Sequence, residues 1–233
     1  MKVTKEKTIH QITFFPALFP VNCFLVEEED SLTLVDTALA SSAEDIIRVI
    51  KELGKPLHNI LLTHAHGDHV GSLDALKAEF PGVSVAISKR DARLLAGDRT
   101  MDAGEPSSPI RGSLPKGLKT KADVLLNDGD RIGSLSAISV PGHTPGSMAF
   151  LDQRNHILIA GDAFQIRGGL AVSGQLRWSF PFPAMATWNK AAALDSARKL
   201  RQYQPSVLAA GHGSFLKNPA AAMDQAIGAA KKI

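Results

Sequence analysis

The sequence predicts an α/β domain in which two β-sheets pack face to face and helices cover both outer faces. Two observations carry this. The chain passes through two successive halves, each a set of short apolar strands with amphipathic helices, so each sheet has helices available to cover it. With 233 residues, 44% of them hydrophobic and 21% charged, it can bury one large core but falls short of two full domains. A single domain over residues 1–233 is the expectation.

The elements follow in order. "HQITFF", "NCFLVEE" and "SLTLVD" read as strands, the last two joined by a charged turn around Glu28 to Asp30. "SSAEDIIRVIKELG" reads as a helix: Ser41 or Ser42 is the N-cap, acids fill the first turn, Ile46, Ile47, Ile50 and Leu53 form the apolar stripe, and Gly54 is the stop. "HNILLT" is a short apolar run, the pattern of a strand buried on both faces. "DHVGSLDALKAEFPG" then has helical spacing that ends at Pro81 and Gly82.

"VSVAIS" is a strand and "KRDARLLAG" a helix. Residues 98–121, rich in Gly, Pro and Ser and carrying Arg99, Arg111, Lys116, Lys119 and Lys121, are long for a plain connection. They read either as a lid over a substrate or as a surface loop. In the second half "SLSAISVPG", "SMAFLD", "HILIAGD" and "PSVLAAGHG" are strands, with helices near Ala186 to Gln202 and Pro219 to Lys231. In "LRWSFPFPAMATW", Trp178, Phe180, Phe182 and Trp188 are interleaved with Pro181 and Pro183. Proline excludes a regular helix in this reading, so these aromatics are expected on a stiff loop near the metal groove that, with "FFPALFP", forms an apolar pocket.

Composition excludes several classes. A net charge of +3 without a long basic run, and one tyrosine in the chain, give little support for nucleic-acid binding. The N-terminus has no apolar segment of the signal-peptide kind and no run approaches membrane-spanning length, so a cytoplasmic location without a membrane anchor is expected. The single cysteine, Cys23, cannot form an internal disulfide or a thiolate cluster and reads as a small buried hydrophobe. The oligomeric state leaves no sequence signal.

The chemistry concentrates in "ILLTHAHGDHVGS", where His64, His66, Asp68 and His69 occupy a strand-to-helix turn. In layered α/β proteins ligands bind at such turns. With eight histidines in the chain, a given pattern of this kind arises by chance on the order of once in a thousand such chains or more rarely. Histidine is the commonest protein ligand for zinc and similar metals, and carboxylates complete such sites where thiolates are absent. One ion cannot comfortably take all four residues, so the spacing suggests two metals side by side. His143 in "VPGHTPGS", Asp162 in "LIAGDAF" and His212 in "LAAGHGS" each follow an apolar strand and are flanked by glycine, supplying three further ligands.

"THAHGDH", "GHTPGS", "GD" and "GHG", in this order and spacing, resemble the metallo-β-lactamase superfamily over nearly the whole chain. The resemblance implies a four-layer αββα sandwich with metals in a groove between the sheet edges. It also implies the assignment: His64, His66 and His143 on one ion, Asp68, His69 and His212 on the other, and Asp162 bridging both. Asp36, in "LVDTALA", matches an early family aspartate at a strand end and is expected to orient the metal-binding loop. The nucleophile would be a hydroxide shared by two divalent ions, zinc first, with iron or manganese as alternatives. Asp68 and Asp162 would take part in the reaction, Asp68 by orienting the water or moving its proton.

The superfamily spans several reactions, so departures from its patterns narrow the substrate. Class B β-lactamases lack the bridging aspartate that Asp162 supplies. Glyoxalase II enzymes carry a helical domain after the last metal histidine, where this chain has residues for one helix. Many acyl-homoserine lactonases have a tyrosine three residues past the bridging aspartate, where this chain has Gln165, and Tyr203 lies in a late helix. The expectation is a dinuclear hydrolase of an ester, lactone or thioester in a small molecule. The alternatives are a mononuclear iron dioxygenase of the persulfide type, or a phosphodiesterase or nuclease of the same superfamily.

Overall fold

The computed structural model describes residues 1–231; Lys232 and Ile233, the last positions of the expected domain, lie outside the described residues. The first sheet has seven strands in sequential order: β1 (Lys2–Glu6), β2 (Ile9–Phe14), β3 (Val21–Glu27), β4 (Leu32–Val35), β5 (Leu57–Leu61), β6 (Ser84–Ser88) and β7 (Val124–Leu126). It is antiparallel from β1 to β4 and parallel from β4 to β7. After it come β8 (Arg131–Ile132), β9 (Leu135–Ser139), β10 (Met148–Asp152), β11 (Ile157–Ile159), a separate two-stranded ribbon of β12 (Phe164–Gln165) and β13 (Ala171–Val172), β14 (Val207–Ala209) and β15 (Leu216–Lys217). The second sheet runs β8-β9-β10-β11-β14-β15, with β11 and β14 parallel.

Among the described residues there are seven α-helices: α1 (Ala43–Leu53), α2 (Gly67–Val70), α3 (Leu73–Glu79), α4 (Lys89–Leu95), α5 (Phe182–Ala186), α6 (Lys190–Gln202) and α7 (Ala220–Ala230). The alternation of side chains along each strand sorts them into layers. On β3, Phe24 and Val26 face the second sheet while Cys23 and Leu25 face the layer of α1, α3 and α4. On β10, Met148 and Phe150 face the first sheet while Ala149 and Leu151 pack under α6 and α7. This is the αββα sandwich that was expected. Each fully buried side chain of this kind contributes roughly 1.5–3 kcal/mol through removal from water. Cys23 is indeed a buried hydrophobe, and burial pushes its thiol well above the ordinary value.

Local differences from the sequence reading have physical causes. Ser42 stands at the N-cap of α1 but its side chain makes no capping bond; Glu44 and Asp45 in the first turn supply the favourable charge instead, and Gly54 ends the helix at φ 69° as expected. The helix expected from Asp68 onward breaks into α2 and α3. Gly71 N donates to Ala38 O and Ser72 Oγ to Leu39 O, so these residues bond to the loop after β4. Buried on both faces holds for β5 only from Ile60 onward, since His58 is exposed. The proline-rich aromatic segment contains a short helix after all: α5 has proline in its first turn, where the missing N–H costs nothing. No helix among the described residues is long and apolar enough to cross a membrane.

Candidate metal centre

The carboxyl ends of β4, β5, β11 and β14, together with the turn after β9, converge on one edge of the sandwich. The two sheets are stitched there by Met148 N to Thr63 O (2.8 Å), Asn22 N to Gly211 O (2.9 Å) and Asn22 Nδ2 to Ala210 O (2.8 Å). At this edge the structure brings together His64, His66, Asp68, His69, His143, Asp162 and His212. Ligand atoms within 4.8 Å of one another form three overlapping groups: His64, His66 and His143; His64, His69 and Asp162; and Asp68, His69 and His212. The first and third are the two ligand sets that the family resemblance implies. His64 and Asp162 occur together in the second group, between them.

Each histidine is held from outside by one ring nitrogen and turns the other inward. His69 Nδ1 donates to Asp36 Oδ2 (2.8 Å), His64 Nδ1 to Thr63 Oγ1 (3.0 Å), His143 Nδ1 to Ser173 Oγ (3.0 Å) and His212 Nδ1 to Pro20 O (2.6 Å). His66 is reversed: its Nε2 donates to Arg111 O (2.9 Å), leaving Nδ1 inward, 2.9 Å from His143 Nε2. Such outer bonds fix the tautomer and aim the lone pair, which is what a metal ligand requires. Asp36 does this twice over. Fully buried at φ 60°, it accepts from His69, from Thr63 N and from Thr63 Oγ1 (both 2.8 Å), so it orients His69 directly and His64 through Thr63.

The inward atoms fit metal ions. His64 Nε2, His69 Nε2 and Asp162 Oδ1 are buried without a hydrogen-bond partner, which is costly in a protein interior unless something else satisfies them. Asp162 lies between the sets, with Oδ2 3.4 Å from His143 Nε2 and 3.2 Å from His212 Nε2, and Oδ1 3.6 Å from His69 Nε2. Gly211 makes room for this: a Cβ there would stand 2.2 Å from Asp162 Oδ1.

The two sets differ electrostatically. Burial, reinforced by the neighbouring imidazoles, holds His64 well below its ordinary value; burial also lowers His66 and takes His143 down to about 3. These three rings are neutral lone-pair donors at pH 7. At His69 and His212 burial is outweighed by Asp162 and the other carboxylates, which hold His69 well above and His212 above the usual value. Burial would raise Asp162, but His212 and His69 hold it well below the carboxylate range. One set is a neutral three-nitrogen group; the other joins two imidazoles to the Asp68 carboxylate, with Asp162 beside it.

Asp91 is a functional residue the sequence reading missed. Buried on α4, it accepts from Ala65 N (2.9 Å), Thr144 Oγ1 (2.7 Å) and Gly146 N (2.8 Å), joining the His64–His66 turn to the turn that carries His143. Burial pushes its carboxyl up to about 6 against those bonds. No motif marks it, because it lies on a helix far along the chain from both turns it holds.

A cavity of about 790 Å³ opens onto His66, Asp68, His143, Asp162 and His212. Of the four aromatics expected to line it, Phe182 does. Phe180 is buried behind, its ring 5.1 Å from that of His212, and Phe19 packs between Phe182 and His212 at 5.0 and 5.5 Å. Trp178 is 89% exposed and does not line the cavity. Trp188 is buried elsewhere, its Nε1 donating to Ser108 O (2.8 Å). Its polar edge needed a partner on burial and found one in the 98–121 loop. That loop is itself tied down at several points: Arg90 bonds Glu105, Arg93 bonds Asp98, and residues 112, 113 and 115–118 form cavity wall. Gln165 is buried, with Nε2 on Phe180 O and Arg167 O, and does not line the cavity.

Comparison with known proteins agrees with this fold. A family model described as the metallo-beta-lactamase superfamily matches residues 16–212. The Bacillus subtilis protein YobT, described as uncharacterized, is 60% identical over 232 residues, covering 100% of both chains. Hydroxyacylglutathione hydrolase GloC of Haemophilus influenzae is 28% identical over 200 residues, 84% of this chain and 87% of that one. The human mitochondrial persulfide dioxygenase ETHE1 is 30% identical over 158 residues, 64% of this chain and 51% of that one. Among solved structures, a metallo-beta-lactamase from Pontibacter korlensis has a TM-score of 0.75 at 18% identity, covering 100% of this chain and 99% of that one, a likeness of fold.

Proposed function

The chain belongs to the metallo-beta-lactamase superfamily, and from that premise we propose that it is a dinuclear metal-dependent hydrolase cleaving an ester, thioester or lactone bond of a small molecule. The observation that carries the reading is the complete set of seven inward-facing donors divided into two groups with Asp162 between them. His64, His66 and His143 would hold one ion, Asp68, His69 and His212 the other. A His and carboxylate donor set suits zinc, with iron and manganese as the alternatives. Two such ions, when bound, lower the pKa of water and polarise a scissile carbonyl.

The chain's own residues do the rest. Asp36, Thr63, Ser173 and the carbonyls of Arg111 and Pro20 keep the imidazoles aimed, so little reorganisation is needed when substrate enters. Asp68 is the ligand-set carboxylate most open to the cavity, with Oδ2 3.6 Å from His212 Nε2, and is the group to orient the attacking water or take its proton. Phe19 and Phe182 give the cavity an apolar side for an acyl group. The likeness to GloC, a hydroxyacylglutathione hydrolase, supports an acyl bond over a phosphodiester.

The test is a substrate panel on the zinc-loaded chain. Turnover is expected on carboxylic esters, thioesters or lactones; turnover confined to phosphodiesters or nucleic acid would overturn the reading. A second reading, an iron dioxygenase, is favoured by the likeness to ETHE1. It predicts oxygen consumption with a persulfide and no hydrolysis across the same panel.

A further inference from the structure

An apolar wall runs from a metal ligand out to solvent. At its inner end Phe19 and Phe180 pack on the His212 ring, with centroids 5.5 and 5.1 Å away. The same two rings meet Phe182 at 5.0 and 5.4 Å, and Phe180 is fully buried, so it fixes the other two in place. Phe182 and Met185 stand three residues apart on α5, which puts them on one face, and both line the cavity. They are nonetheless 52% and 65% exposed. Large apolar side chains held half in water beside a cavity mark a place where something apolar binds.

The rest of the lining continues this character. Leu39 comes from the loop after β4, Val70 from α2, and Pro115 and Leu118 from the 98–121 loop. Outside the ligand set, the polar side chains of the cavity are Asp74, Ser113 and Lys116. The Asp74 carboxylate already accepts from Lys119 N, Thr120 N and Thr120 Oγ1, while Ser113 and Lys116 are exposed to water. A peptide-like or nucleotide-like carrier drawn into this cavity would find few partners for its amides, hydroxyls or phosphates, and burying such groups unpaired is costly. A hydrocarbon has no such groups to satisfy and gains from leaving water.

We propose that the substrate carries an aliphatic acyl chain longer than acetyl, which lies along the wall of Phe19, Phe182 and Met185 with its acyl carbon at the metal ligands. The placing of the acyl carbon rests on the hydrolase reading above. The cavity volume of about 790 Å³ is that of a site for a drug-sized ligand, well beyond the need of an acetyl group. Hydrogen-bonding carrier groups stay outside, in solvent.

The experiment is calorimetric binding of unbranched monocarboxylates, from acetate to decanoate, to the zinc-loaded chain. Methoxyethoxyacetate, a polar chain of the same length as heptanoate, is the control. The carboxylate serves the metal ligands and the chain tests the wall. The Kd is expected to fall by up to about fourfold for each methylene that leaves water, and to level off where the chain emerges from the mouth. Heptanoate should bind about tenfold tighter than its polar counterpart. Phe182→Gln combined with Met185→Gln, checked for an unchanged melting temperature, should flatten the series, and Phe182→Leu with Met185→Leu should keep most of it. In the unsubstituted chain, no binding at any length, a Kd indifferent to length, or equal binding of heptanoate and methoxyethoxyacetate overturns the proposal. A series as steep in the glutamine double variant overturns it too. Because binding is read without turnover, a length-dependent series in a chain inactive on every ester leaves this inference standing and removes the hydrolase reading. Ester turnover with the same kcat/KM for acetyl and octanoyl groups does the reverse.

Discussion

His64→Ala combined with His66→Ala is expected to lower kcat/KM by about 10³-fold or more and to remove one metal equivalent per chain. The two residues supply two of the three nitrogens in the neutral set, and His143 alone cannot hold an ion there. Losing metal assistance forfeits several kcal/mol of transition-state stabilisation, at 1.36 kcal/mol per tenfold in rate. Both rings are buried but sit among polar neighbours, so the fold should survive; circular dichroism checks this. Hydrolysis at the unsubstituted rate from a folded double variant would remove this set from the mechanism.

Stripping the metal with a chelator is the second large effect. His64, His66 and His143 face one another as buried neutral rings, and His64 Nε2, His69 Nε2 and Asp162 Oδ1 have no other partner. Ions that bind the folded chain and not the unfolded one stabilise it by about 4 kcal/mol at a thousandfold excess over Kd. For a domain of this size that corresponds to a melting temperature ~8–16 °C lower after chelation, restored by added zinc. Calorimetry of treated and reconstituted protein reads it directly, and an unchanged melting temperature would mean that the cluster holds no ion.

Much of this architecture was legible because burial writes itself into spacing. The short apolar runs of β3 and β10, covered on both faces, and the apolar stripe of α1 follow from which faces are covered. The ligands were legible for a related reason: each follows an apolar strand, and the strands that carry them have their carboxyl ends at one edge of the sandwich. What escaped were features set by tertiary contact. β1 is a polar edge strand, and the ribbon of β12 and β13 is two residues wide, too short for any period. Asp91 clamps two turns from a helix distant in sequence, and nothing in its neighbours marks the role.

The aromatic segment shows the limit most clearly. Trp178, Phe180, Phe182 and Trp188 look equivalent along the chain, yet one faces solvent, two are buried, and Phe182 alone borders the cavity. Which side of a loop a ring takes depends on what packs against it. Phe180 is claimed by Phe19 and His212, and Trp188 by Ser108. The basic loop divides similarly: of Arg99, Arg111, Lys116, Lys119 and Lys121, Lys116 is the one that reaches the cavity wall.

The central claim, that paired ions held by these seven residues activate water, is tested most directly by titrating metal-free protein with zinc under anaerobic conditions while following ester turnover. Activity should rise until two equivalents are bound per chain and should not depend on oxygen. Saturation at a single equivalent of iron, with turnover that stops when oxygen is removed, would contradict it.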